Sequence, residues 1–244
     1  MIGSNANEKM SVSANGSRVR FSRDIGAITM DLDDVEGITA KPLGGTDTLA
    51  VNDLTGTDTV NVDADLAAFG GGDDAAADNV VVSATSDDDS ATVTGAGPNA
   101  QVAGLSAQVS ASGAIAGSDR LTVNGLDGDD VIDASGVSAD SALLTLDGGA
   151  GSDVLIGGAG DDILLGGAGD DILIPGPGND TVDGGTGSNI VLEEPGDSAV
   201  TSATAKGNEW LAAHARVVNG KTLLDVDGKK RTLPRADLSA LRRN

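Results

Sequence analysis

The sequence predicts an all-β protein: an irregular right-handed parallel β-helix over residues 1–124, a tandem-repeat region over 125–195 and a small basic helix-plus-hairpin cap over 196–244. Three observations predict it. Short segments that alternate apolar and polar residues recur along the first half of the chain, which is strand periodicity. A nonapeptide then repeats five times without a gap over 148–192. Beyond Pro195 the strongly acidic balance reverses to a basic one, which marks a boundary.

In the first part the segments MSVSA, SRVRFSRD, AITMDL, NVVVSAT, ATVTGA, AQVAGL, DRLTVNG and ALLTLDG read as strands, punctuated by Gly, Asn and Asp turns. GTDTLAVNDLT over 45–55 is followed by GTDTVNVDADL over 56–66, an eleven-residue repeat with Leu49/Val51 and Val60/Val62 at alternating positions. Many short strands with no helical pattern favour a β-helix with irregular coils. GGGDDAAAD over 70–78 reads as an inserted mobile loop.

The repeat region reads GGAGSDVLI, GGAGDDILL, GGAGDDILI, PGPGNDTVD and GGTGSNIVL. Glycine holds the second position (Gly149, Gly158, Gly167, Gly176, Gly185) and the fourth (Gly151, Gly160, Gly169, Gly178, Gly187). The sixth is Asp153, Asp162, Asp171, Asp180 and then Asn189, and the eighth is Leu155, Leu164, Leu173, Val182 and Val191. GLDGDDVID over 125–133 is a degenerate copy. In the cap, Trp210, Leu211, His214, Ala215 and Val218 fall at helical spacing within 204–218, and TLLDVDGKKRTLP places two strands around an Asp227-Gly228 hairpin signal.

Composition narrows the function. The 244 residues include 38 Asp+Glu against 15 Lys+Arg, a formal net charge of -23, with 36 glycines, no cysteine, one tryptophan and two phenylalanines. Self-repulsion of that size in a compact chain calls for a neutralising cation. It also excludes general nucleic-acid binding, which rests on Lys and Arg. Absence of cysteine excludes disulfides, zinc-thiolate sites and thiol catalysis. No apolar run approaches the ~20 residues of a membrane span. Residues 1–16 lack the apolar core of a secretory signal, so export by another route, or a start inside a longer protein, is expected.

The nonapeptide resembles the RTX (repeats in toxin) haemolysin-type calcium-binding repeat G-G-x-G-x-D-x-U-x. That resemblance implies a parallel β-roll in which two nonapeptides make one coil, so residues 18 apart stack. Asp153 then lies over Asp171 and Asp162 over Asp180. Glycines at positions two and four, Gly149, Gly151, Gly158, Gly160, Gly167 and Gly169 among them, permit positive φ and bring carbonyl oxygens into convergence. A carboxylate from each stacked turn plus carbonyls makes a hard oxygen shell that suits calcium better than magnesium, while zinc would want His or Cys. Asp153/Asp171 and Asp162/Asp180 are the best sites on this reading, and Asp171/Asn189, with one charge, a weaker one. Asp161, Asp170 and Asn179 are expected to supply carbonyls or outer acceptors, and Asp129 and Asp130 a further site. For Asp47, Asp58 and Asp87 to Asp89, turn or solvated roles are expected rather than ligation.

Positions seven and nine point away from the roll interior and place Val154, Ile156, Ile172, Ile174, Ile190 and Leu192 on one face, an apolar stripe that calls for a cover. The expected covers are the C-terminal helix, through Trp210 and Leu211, or a further copy of the chain in a homo-oligomer or larger surface assembly. Catalysis finds little support. His214 is the only histidine, and three aromatic side chains make a poor sugar platform. The enzymatic alternative is a polysaccharide lyase or epimerase on a parallel β-helix, with Arg18, Arg20 and Arg23 the only basic cluster of the β region worth testing. The favoured reading is a non-catalytic, extracellular calcium-binding module serving secretion-coupled folding, adhesion or surface assembly.

Overall fold

The computed structural model describes residues 1–72, 75–114 and 116–192, together with short strand segments at 198–199, 215–218, 221–226 and 229–233. The strands in chain order are β1 (Ile2–Ser4), β2 (Lys9–Asn15), β3 (Arg18–Arg23), β4 (Ile28–Leu32), β5 (Gly37–Leu43), β6 (Thr48–Val51), β7 (Asn61–Asp65) and β8 (Asn79–Ser83). There follow β9 (Ser90–Ala96), β10 (Asn99–Ala103), β11 (Gln108–Ser112), β12 (Arg120–Asn124), β13 (Val131–Val137), β14 (Leu143–Ala150), β15 (Val154–Ile156) and β16 (Ile163–Ala168). The last are β17 (Ile172–Ile174), β18 (Thr181–Asp183), β19 (Ile190–Val191), β20 (Ser198–Ala199), β21 (Ala215–Val218), β22 (Lys221–Val226) and β23 (Lys229–Leu233).

Two ten-stranded sheets carry the architecture, in the orders β1-β5-β7-β11-β10-β9-β13-β15-β17-β19 and β20-β18-β16-β14-β12-β8-β6-β2-β3-β4. From β12 to β20, consecutive strands alternate between the sheets and pair in parallel with the strand one coil away, and β21, β22 and β23 form a separate three-stranded sheet. Alternation explains why these segments are strands. In β8, Val80 and Val82 are buried while their neighbours are half-exposed, and β6, β12 and β14 repeat the pattern with Leu49/Val51, Leu121/Val123 and Leu144/Leu146. Those residues stack coil on coil into one apolar column, and Leu155, Leu164, Leu173 and Val182 continue it into the repeats.

The sheets are mostly parallel, with two antiparallel excursions. β2, β3 and β4 form a meander at one edge, and β9, β10 and β11 form another inside the first sheet. Local turn chemistry accounts for both. Gly16 (φ 68°) and Gly97 (φ 55°) each start a two-residue loop, Gly16-Ser17 and Gly97-Pro98, that returns the chain on itself.

Several expectations are corrected. In the eleven-residue repeat Val60 is exposed at 53% because it lies in the turn before β7, where Val62 and Ala64 face inward. Asp78 does not share the exposure of the loop at 70–78, since it is buried immediately before β8. Asp47 is a turn residue but a buried one, whereas Asp58, Asp87 and Asp88 are exposed and Asp89 is half-buried. The helix expected over 204–218 does not extend to its end. Ala215–Val218 is a strand paired antiparallel with β22, and residues 204–214, with Trp210, Leu211 and His214, lie outside the described residues. β22 and β23 pair antiparallel around positions 227–228, as the hairpin signal requires.

Candidate metal centre

The repeats stack at an interval of two. β15 pairs with β17 in the register Val154↔Ile172, and β16 with β18 in the register Ile163↔Thr181, both 18 residues apart. The degenerate copy joins the same stack through Val131↔Val154, 23 residues apart. Each sixth-position residue therefore sits immediately before an inward-facing strand, one rung above its counterpart.

Each sixth-position side chain is buried and turned back onto the preceding rung. Asp153, Asp162, Asp171, Asp180 and Asn189 are all at most 4% exposed, and Asp130 is 1% exposed. Asp171 Oδ1 accepts the Asp153 N–H at 2.9 Å, Asp180 Oδ1 the Asp162 N–H at 2.8 Å, and Asn189 Oδ1 the Asp171 N–H at 2.8 Å. Asp153 Oδ1 accepts the Asp130 N–H at 2.8 Å, and Asp130 Oδ1 the Asp89 N–H at 2.7 Å. The result is two columns of carboxylates, one along each sheet, in which one oxygen of the rung satisfies a backbone donor that would otherwise be orphaned.

The second oxygen is the informative one. Asp171 Oδ2 is buried and accepts no hydrogen bond, a costly arrangement for an anion inside protein. Desolvation by burial pushes the Asp171 carboxyl up to about 6, against the Asp153 N–H, which lowers it, and the neighbouring Asp170, which raises it. Asp162 is pushed up to about 6 by the same cause, despite the Gly158 N–H donated to its Oδ2 at 2.8 Å. Among the described residues no three His, Cys, Asp or Glu side chains cluster as a ready-made metal cage. With one carboxylate per rung, the remaining ligands of any ion must come from backbone oxygens.

Glycine supplies that backbone approach in two ways. Gly149 (φ 95°), Gly151 (φ 138°), Gly160 (φ 127°), Gly167 (φ 98°) and Gly169 (φ 140°) adopt positive φ as expected. Gly158 does not. A Cβ there would lie 2.9 Å from Val137 Cβ and 3.0 Å from the Val137 carbonyl oxygen, so packing against the next coil selects it. The first position, which sequence reasoning passed over, has a role of its own. A Cβ on Gly166 would meet Asp171 Oδ2 at 2.5 Å and the Gly184 carbonyl oxygen at 2.8 Å. Its absence lets carboxylate and carbonyl close on the same turn, and Gly148 meets Asp153 Oδ2 and the Gly166 carbonyl in the same way.

At the fifth position Asp161, Asp170 and Asn179 are exposed, and the acids cap the next rung: Asp161 Oδ1 accepts the Asn179 N–H at 3.0 Å and Asp170 Oδ1 the Ser188 N–H at 2.7 Å. Asp129 Oδ1 does the same for Ser152 at 2.9 Å. The terminal rung shows what an amide does in this place. Asn189 Nδ2 donates to the Gly184 carbonyl, filling with its own N–H the region where the charged rungs present oxygen only.

A hard, all-oxygen donor set of buried carboxylates and glycine carbonyls, with an anionic oxygen left without a donor, fits calcium and not a thiophilic metal. A family model, the RTX calcium-binding nonapeptide repeat in four copies, matches residues 145–173 and 176–191. The chain carries an RTX repeat array. No curated protein matches the chain. The RTX array is a calcium-binding, non-catalytic element, and calcium is its cofactor.

On the outer side of the RTX roll, Val154, Ile156 and Ile172 are buried, and Val131, Ile174, Ile190 and Leu192 pack against them half-buried, as an apolar cluster separate from the main core. The opposite face carries half-buried Ile163 and Leu165, then exposed Thr181. The arginine cluster is occupied by neighbours: Arg18 pairs with Asp31 at 3.1 Å and Asp33 at 2.6 Å, Arg23 with Glu8, and Arg20 donates to Asn15 Oδ1 at 3.3 Å.

Proposed function

We propose that calcium is held between stacked turns by Asp153 with Asp171 and by Asp162 with Asp180, and less tightly by Asp171 with Asn189, with Asp130 extending the column on the degenerate coil. Carbonyls of the turns containing Gly149, Gly151, Gly158, Gly160, Gly167 and Gly169 complete each shell. Calcium supplies positive charge and oxygen affinity to the columns. The chain supplies the rest: Oδ1 of each rung holds the previous rung's N–H, the first-position glycines let Oδ2 approach the carbonyls, and the eighth-position Leu and Val anchor the turn in the core. Asp161, Asp170 and Asn179 hold the turns in register from outside.

The observation that carries this reading is the buried Asp171 Oδ2 with no hydrogen-bond donor, in a carboxyl that burial already pushes up to about 6. Without a cation the columns oppose folding, so binding free energy becomes folding free energy. The module therefore stays unfolded where calcium is scarce and folds in calcium-rich extracellular surroundings, which suits secretion-coupled folding, adhesion or surface assembly. The cap over 196–244, and contact between copies through the partly exposed Ile174, Ile190 and Leu192, belong to the same proposal. Circular dichroism of the full chain with calcium and with excess chelator tests it. Strand signal over the roll should collapse on chelation, and a spectrum unchanged by the chelator would refute the coupling.

A further inference from the structure

The first coil reproduces the turn of the array without reproducing its sequence. Residues 3–11 read GSNANEKMS and residues 42–50 read PLGGTDTLA. β1 pairs with β5 in the register Ser4↔Leu43, and β2 with β6 in the register Met10↔Leu49. Glu8 is thereby stacked on Asp47 as Asp153 is on Asp171. The backbone caps match position for position. Asp47 Oδ1 accepts the Glu8 N–H at 2.7 Å, as Asp171 does for Asp153, and Asn7 Oδ1 accepts the Thr46 N–H at 3.0 Å, as Asp170 does for Ser188. Leu43 (φ 86°) and Gly45 (φ 103°) hold the two positive-φ positions occupied in the array by Gly149 and Gly151.

The first-position glycine is present too. A Cβ on Gly3 would overlap both the Pro42 carbonyl oxygen and Glu8 Oε2, the same two kinds of oxygen that close on Gly166. Glu8 is 1% exposed. Its Oε1 accepts the Ser4 N–H at 2.9 Å and the Ser4 hydroxyl, and pairs with Arg23. Its Oε2 is buried, accepts no hydrogen bond and faces the Pro42 carbonyl. A buried carboxylate oxygen without a donor, set against a carbonyl, favours a cation between them.

We propose that this turn pair is a further calcium site, formed by Glu8, the Asp47 carboxylate and the Pro42 carbonyl, more than a hundred residues before the repeats and outside the matched segments. The inference rests on the calcium chemistry read for the array. Arg23 already offsets part of the Glu8 charge, so the site is weaker than those of the array and fills last. The two ends of the molecule then respond to different calcium concentrations.

The test is calorimetric titration of the full chain with calcium. Asp130, Asp153, Asp162, Asp171 and Asp180 are replaced together by Asn to silence the array, and Glu8→Gln is then added. The silenced chain should keep one weak site, and Glu8→Gln should abolish it. Because Glu8→Gln also alters the contacts of Glu8 with Ser4 and Arg23 in the first coil, Arg23→Gln in the silenced chain is the second arm. It keeps every proposed ligand and should tighten the site on the order of fivefold by removing a nearby positive charge. A silenced chain that binds no calcium while the parent binds it, or an Arg23→Gln variant that binds more weakly, overturns this site and leaves the array reading intact. A silenced chain that binds as many ions as the parent overturns the array assignment, and Glu8→Gln then decides this site separately.

Discussion

Replacing Asp171 by Asn should move stability in opposite directions with and without calcium. The variant keeps an oxygen to accept the Asp153 N–H, which Asp171 Oδ1 does at 2.9 Å. It places an amide N–H where the wild-type Oδ2 has no donor, facing the Gly184 carbonyl side of the turn as Asn189 does on the next rung. Without calcium it removes a buried charge. A carboxyl pushed from 3.8 up to about 6 corresponds to roughly 3 kcal/mol of unfavourable ionisation in the folded state. Relaxation and water penetration around a buried charge reduce that to roughly 1–2 kcal/mol. The calcium-free variant should therefore recover part of the strand signal that the wild type loses in chelator. With calcium the sign reverses, because a rung at two stacked pairs loses its charge. A site filled at a hundredfold excess over Kd contributes about 2.7 kcal/mol, and that contribution shrinks with the affinity. Circular dichroism in chelator and calorimetric melts in millimolar calcium measure the two arms. An Asp171→Asn protein destabilised equally under both conditions would mean that the carboxylate is a structural cap only, and the argument for a cation column would fail.

Gly167→Ala should abolish calcium-dependent folding. At φ 98° with its Cβ driven into the Gly149 carbonyl, alanine can neither adopt the turn nor fit beneath the next coil, and spectra in calcium should match those of the chelated wild type. The pH dependence has a definite sign. Asp162 and Asp171 have folded-state values raised to about 6 from an ordinary 3.8, so their protonation favours the calcium-free fold, fully below 3.8 and decreasingly as pH rises through 6. Calcium competes with those protons. Between pH 4 and 6, calcium binding should release protons and weaken as pH falls, which titration in buffers of differing ionisation heat measures.

How far the sequence reveals this arrangement depends on whether a position is defined by residue type or by space. The sixth-position Asp and eighth-position Leu or Val declare themselves because both chemistry and burial demand them, and the 18-residue stacking of Asp153 on Asp171 follows from the repeat. The first-position glycines were passed over because their reason is steric, the approach of Asp171 Oδ2 and the Gly184 carbonyl to Gly166 from another coil. Likewise Asp47, Asp78 and Asp119 look like turn acids in isolation. Only the register of β2, β6, β8 and β12 puts them in one buried column, each taking the N–H of the rung before it. The signal is an acid one residue ahead of each of these four strands, but the coils of the first half differ in length, so no fixed period exposes it. The hairpins at Gly16 and Gly97 break the period further.

The placement of charge also bears on why these rungs are acids at all. Capping the preceding N–H requires only one oxygen, and Asn189 performs that task at 2.8 Å while its amide satisfies the Gly184 carbonyl internally. An asparagine column would thus satisfy the backbone without burying charge. Asp153, Asp162, Asp171 and Asp180 instead retain a second anionic oxygen at every rung, two of them in carboxyls pushed up to about 6 by burial. Burying an anion where an amide would serve weakens the metal-free fold at every rung and strengthens only the ion-bound one. The acid rungs therefore make the fold conditional, and the amide of Asn189 relaxes that condition at the last described rung of its own column.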